Sequence, residues 1–133
     1  MGAPIKPFVR KRAAFRCEYC HFPEQFAELR FQLDHIRAGQ HGGPTAPENL
    51  AWSCIRCNKR KGPNLSAIDP KTGGTCRLFH PREDSWNEHF GWQGPRLVGL
   101  TPMGRATVNL LQCNHPDALL AREALIDEGI SLT

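Results

Sequence analysis

Residues Asp34–Gly62 read DHIRAGQHGGPTAPENLAWSCIRCNKRKG, and the fold turns on this stretch. It opens on an adjacent acid and histidine, Asp34-His35. A glycine-rich segment with His41-Gly42-Gly43 follows, then Asn49-Leu50. It closes on Cys54-x2-Cys57 and the basic run Asn58-Lys59-Arg60-Lys61-Gly62. Just upstream, Leu29, Phe31 and Leu33 alternate with Arg30, Gln32 and Asp34, which predicts a strand over 29–36. Arg37 to Glu48 holds Gly, Pro and Thr and reads as a long loop. Asn49 to Ser53 is short and apolar, a second strand or a turn. Asn58 to Lys61 begins a helix that Gly62-Pro63 stops. Adjacent residues of a regular strand point to opposite faces. Asp34 and His35 can therefore serve one centre only if the strand bends or ends there.

Upstream lies a second cysteine pair, Cys17-Glu18-Tyr19-Cys20. Two Cys-x2-Cys turns give four thiolates, the donor set of a closed structural zinc site with no open position for chemistry. Zinc held by Cys17, Cys20, Cys54 and Cys57 would staple the ends of the strand-and-loop segment and replace missing core. Cys76 and Cys113 lack such spacing and read as ordinary, partly buried cysteines. Before the first pair, residues 1–6 read as a loose arm. Pro7 to Ala14 reads as a short helix, with Phe8, Val9 and Phe15 on its buried side. Pro23 to Glu28 allows one or two helical turns.

Downstream, Asp69-Pro70-Lys71-Thr72-Gly73-Gly74 is a turn signal joining two short strands. Residues 64–100 are otherwise irregular, with Arg77 to Arg82 as a candidate strand and Trp86, Phe90 and Trp92 as aromatic core. Thr101-Pro102 predicts an N-cap for a helix to Leu111. Asp117 to Glu128 predicts a second helix, with Leu119, Leu120, Leu125 and Ile126 as its apolar set and Gly129 as its stop.

The 133 residues fit a single domain with a modest core, and the composition is that of a globular chain. No apolar run approaches a membrane span. The basic N-terminus lacks the apolar core of a secretory signal, so a cytoplasmic setting is expected, where paired Cys-x2-Cys turns favour metal over disulfide. The net charge of +4 is uneven: residues 1–62 carry 11 Lys/Arg against 5 Asp/Glu, and residues 63–133 carry 6 against 8. A basic first half suits a polyanion such as nucleic acid. Oligomeric state is not written in the pattern.

Together, Cys17-Glu18-Tyr19-Cys20, Asp34-His35-Ile36, Gly42-Gly43, Asn49-Leu50, Cys54-x2-Cys57-Asn58 and Lys61-Gly62 resemble the HNH endonuclease family over about residues 8–63. The chain is similar to small bacterial HNH proteins in which a segment like Leu78-Phe79-His80-Pro81-Arg82, Trp86 and His89-Phe90 follows, extending the resemblance to about residue 90. The resemblance implies an α+β fold: a ββα-metal core over residues 8–63, stapled by zinc, with a C-terminal helical extension over 64–133. It implies that His35 is the general base against a DNA phosphodiester. Asp34 and Asn58 would hold one divalent ion, and Asn49 would brace the loop and orient the histidine. Two positions depart from the family pattern. Arg37-Ala38 stands where many members have proline, and Asn58 stands where the family's name has histidine.

The chemistry agrees with that expectation. A hard cation such as Mg²⁺ or Mn²⁺ prefers oxygen donors, which an Asp carboxylate and an Asn amide supply. Imidazole, with a reference pKa of about 6.5, is a competent base at neutral pH. Arg56, Lys59, Arg60 and Lys61 are expected to contact DNA phosphates, which position a duplex without reading sequence. His41 is open between a phosphate contact and a loop filler, and His80 and His89 read as structural. The rival expectation is a zinc-stabilised nucleic-acid-binding module without catalysis. It would use the same cysteines and basic residues but would not require Asp34, His35 and Asn58 together.

Overall fold

The computed structural model describes residues 4–133. The loose arm expected for residues 1–6 lies partly outside the described residues, and Ile5 and Lys6 already belong to a helix. The chain packs as two compact units, Met1–Pro63 and Asn64–Thr133. The fold is α+β, with short antiparallel strand pairs and helices.

In the first unit, α1 (Ile5–Arg12) runs into the first cysteine turn. A single 3-10 turn, Glu24–Phe26, stands where one or two helical turns were expected. Then β1 (Gln32–His35) and β2 (Leu50–Ser53) pair antiparallel, with His35 opposite Leu50 and Asp34 opposite Ala51. The helix α2 (Ile55–Lys61) completes a ββα unit. Its N-cap is Cys54, whose Sγ accepts from the Cys57 amide at 3.4 Å, so the second cysteine turn and the first turn of α2 are one structure. Gly62, at φ +50°, ends the helix, and the next residue is Pro63.

Val9, Tyr19, Phe31, Ile36, Leu50, Ala51 and Trp52 form the buried apolar set of this unit beside its cysteines. Phe8 and Phe15, expected inside, are 53% and 45% exposed. An eight-residue helix has one narrow inner stripe, and Val9 fills it. Arg12 and Arg10 instead lie over the rings of Phe8 and Phe15 at 5.3 and 5.0 Å. The strand also departs from simple alternation. Asp34 is buried while Leu33 is only half-buried, because polar partners, not solvent, meet the Asp34 side chain.

The second unit opens with β3 (Ser66–Ile68) and β4 (Thr75–Arg77), joined by the expected turn. Asp69 organises that turn by accepting from the Lys71 amide and the Thr72 hydroxyl. Next come α3 (Trp86–His89) and a hairpin of β5 (Phe90–Gln93) and β6 (Arg96–Gly99) that the irregular reading of 64–100 did not contain. Gly94, at φ +59°, opens its tight turn.

The helix α4 (Pro102–Leu111) starts at Thr101, whose hydroxyl caps the Gly104 amide as expected. A Cβ on Gly99 would lie 2.3 Å from the Arg105 backbone, so glycine is what lets β6 touch α4. In α5 (Pro116–Asp127) the expected apolar set is only partly inside: Leu125 is buried, but Leu120 and Ile126 are exposed. Arg122, outside that set, is buried as well. It donates to the carbonyls of Pro95 and Cys113 and lies 5.4 Å over the Trp92 ring. Among the described residues, no helix is long and apolar enough to cross a membrane.

Candidate functional site

The four cysteine sulfurs of the first unit lie within 4.8 Å of one another, and Cys20 and Cys54 are 3.8 Å apart. Four thiolates at about 2.3 Å from one zinc sit about 3.8 Å from each other, so the cluster fits a zinc knuckle. Burial opposes ionisation of Cys17. Hydrogen bonds from Cys20, Cys54 and Cys57 outweigh it and hold that thiol well below its usual range. Cys20 moves the opposite way, pushed up by its thiol neighbours. The knuckle is tied to the sheet: the Glu18 amide donates to the Trp52 carbonyl at 2.8 Å, and the Glu18 carboxylate accepts from the Trp52 amide at 2.7 Å.

The strand β1 ends at His35, where the two candidate groups part. The imidazole of His35 is half-buried, and its Nε2 lies 2.9 Å from the Thr45 hydroxyl in the loop. The Asp34 side chain turns inward. Its Oδ2 accepts from the Tyr19 hydroxyl at 2.5 Å, and its Oδ1 lies 3.3 Å from the Lys61 ammonium. Lys61 also donates to the His35 carbonyl at 3.1 Å. Burial pushes the Asp34 carboxyl up, although Lys61 and Tyr19 pull against it. The Tyr19 phenol is raised well above its usual value by burial and then by the nearby carboxylate.

This arrangement corrects one placement. Lys61, expected on a phosphate-facing surface, is only 2% exposed and forms an ion pair with Asp34. The reason is helical spacing. Asn58 and Lys61 are three residues apart and share a face of α2, and that face meets alternate residues of β1. Asn58 donates to Gln32 Oε1 at 2.5 Å, and Lys61 reaches Asp34. The structure thus brings Asp34, Asn58 and Lys61 to facing surfaces of strand and helix. Lys59 and Arg60 are exposed, and Arg56 is half-buried.

Asn49 is buried and braces the loop. Its Oδ1 accepts from the Arg37 amide at 2.9 Å, and its Nδ2 donates to the carbonyls of Arg37 and Pro44 at 3.0 and 2.8 Å. A Cβ on Gly43 would fall 1.8 Å from the Arg37 oxygen, so the loop can close only over glycine. His41 is exposed in a short 3-10 turn, Gly39–His41.

His80 and His89 have structural duties in the second unit. His80 Nδ1 accepts from the Arg82 and Glu83 amides, and His89 Nδ1 lies 2.7 Å from the Thr101 hydroxyl. The sequence reading missed Tyr19 and the role of Lys61. Tyr19 sits between the two knuckle cysteines, but nothing local says that its hydroxyl finds Asp34.

No curated protein and no solved structure matches the chain. A family model does: the HNH endonuclease model matches residues 17–64. That span begins at the first knuckle cysteine and ends just beyond α2, so it takes in both cysteine turns, the two strands, the braced loop and the helix. With its four clustered cysteines, the first unit of this chain carries an HNH domain.

Proposed function

We propose that this protein is a metal-dependent endonuclease that hydrolyses DNA phosphodiester bonds. The observation that carries the reading is His35. It stands at the end of β1, half-exposed, beside a loop whose closure is enforced by Asn49 and Gly43. A histidine so placed can accept a proton from water beside a bound phosphate. Asn49 acts through the loop rather than on substrate. Arg56, Lys59 and Arg60 supply positive charge near the site and would hold the duplex backbone.

The donor chemistry fits a hard divalent ion such as Mg²⁺ or Mn²⁺. Asp34 offers a carboxylate and Asn58 an amide oxygen across the strand–helix face, and the spot already draws a positive charge, the Lys61 ammonium. The chemistry supplied by such an ion is charge neutralisation on the phosphate and on the departing 3′ oxygen. Zinc at the four cysteines is structural in this reading. The setting is cytoplasmic.

The test is cleavage of supercoiled plasmid by purified protein with Mg²⁺, with Mn²⁺ and with EDTA, beside His35→Ala. Nicking or linearisation that needs the divalent ion and disappears in His35→Ala is the expected result. Binding of the plasmid with no cleavage under any divalent ion would leave a zinc-stabilised nucleic-acid-binding module as the function. One observation favours that second reading: both oxygens of Asp34 are engaged by protein donors. Equal cleavage by His35→Ala would remove His35 from the mechanism.

A further inference from the structure

We propose that Lys61 is the resident counter-cation of Asp34, and that a divalent ion must displace its ammonium to bind there. The inference rests on the metal-dependent reading above and names the residue that controls metal entry.

Three features carry it. The carboxylate and the ammonium are 2% to 4% exposed and 3.3 Å apart, so each is the charge that makes burial of the other tolerable. One carboxylate cannot fully neutralise an ammonium and a divalent ion together, and at low dielectric the two cations repel strongly. Lys61 is also the last residue of α2, with Gly62 ending the helix. Leaving Asp34 gives up a further contact of the ammonium, to the His35 carbonyl at 3.1 Å. Tyr19 stays on the other carboxylate oxygen and keeps Asp34 aimed into the same place.

The displaced ammonium would still need an anionic partner. Among DNA's groups, the phosphodiester supplies one. Metal uptake and substrate binding then reinforce each other, and the protein alone holds the catalytic ion weakly. Removing the ammonium should remove that competition. The apparent affinity of a site that is open only part of the time is lowered by the open fraction.

The experiment uses the full-length, zinc-loaded protein and measures Mn²⁺ binding by electron paramagnetic resonance. Lys61→Met keeps the length and apolar character of the stem and removes the charge; Asp34→Asn marks the site. Lys61→Met is expected to bind Mn²⁺ about tenfold more tightly than the wild type, and Asp34→Asn to lose that binding. Equal or weaker binding by Lys61→Met overturns the proposal.

A second measurement needs no variant. Lys61 in the wild type should react slowly with an amine-acylating reagent and faster once Mn²⁺ is added, as read by mass spectrometry. Labelling that Mn²⁺ leaves unchanged also overturns the proposal, and it decides alone if Lys61→Met loses its zinc. Plasmid cleavage by the wild type in the same buffer separates the two claims. Cleavage with no gain in Mn²⁺ affinity sinks the role of Lys61 alone. Tighter binding without cleavage supports Lys61 and sinks the nuclease.

Discussion

Asn49 and Arg37 exchange two hydrogen bonds, one in each direction, and so close the loop that follows His35. The side chain imitates a backbone strand partner. Asn49→Ala would leave the Arg37 amide and two carbonyls without it, at a cost of about 2–4 kcal/mol. Cleavage should fall by about a hundredfold through misplacement of His35. Asn49→Asp can accept but not donate, so two carbonyls would face a carboxylate, and it should fare no better than alanine. Plasmid cleavage and denaturant melts at matched zinc content check both.

Gly43→Ala tests the same loop from its backbone side. The added methyl collides with the Arg37 carbonyl and sits 2.8 Å from the Asn49 amide nitrogen. The loop must reopen, so slower cleavage is expected while the four cysteines keep their zinc. Zinc content and rate, measured on one preparation, separate these effects.

Removal of zinc should unfold the first unit. Its buried apolar set is small, and the sulfur cluster ties the Cys17–Cys20 turn to the start of α2. A structural zinc contributes directly to folding free energy. One tightly held zinc per chain is expected. Chelation, or Cys57→Ser, should abolish hydrogen-exchange protection across β1 and β2. Protection that survives zinc loss would show that the apolar core suffices.

Acid should weaken the second unit through Asp69. The fork of Arg105, with nitrogens at 2.9 and 2.8 Å, holds the Asp69 carboxyl well below the usual carboxylate range. The unfolded chain therefore takes up this proton first, near its reference pKa of about 3.9. The stabilisation is complete above that value and is lost as pH falls toward the lower folded value. Asp69→Asn should lower Tm clearly at pH 7 and by less at pH 2.5. Melts of both proteins across that range give the comparison.

Arg122→Ala removes a buried fork that serves two backbone carbonyls and the Asn114 side chain. A loss of about 3 kcal/mol or more is expected, since hydrogen bonds to a charged group are the strong ones. Arg122→Lys should recover little, because one ammonium cannot span the fork. Urea melts of the two variants test this.

Much of the first unit was readable from local spacing. Two Cys-x2-Cys turns announce a four-sulfur cluster wherever they meet. The alternation before Asp34 and the breakers after it place a strand and a loop, and the apolar Asn49–Ser53 segment reads as a second strand or a turn, which the structure resolves as β2. In the second unit the turn at Asp69 and the Thr101 cap were equally local. The hairpin of β5 and β6 escaped because its strands are four residues each and contain Gly91 and Gly99. Those glycines weaken a strand pattern but admit close contacts that a sequence does not display.

What the sequence determined by itself was therefore the set of short-range constraints: which residues turn, which cap, and which cysteines cluster. What only the tertiary structure decided was the partner of each buried charge. Asp34 falls among the polar residues of its strand's alternation, yet it is buried, paired with Lys61, 27 positions away, and with Tyr19 in the knuckle. Arg122 lies outside the apolar set of its helix, yet it is buried under backbone carbonyls. A pattern records polarity but not what stands opposite. The cost of burying a charge depends entirely on that opposite group, and only the folded chain supplies it.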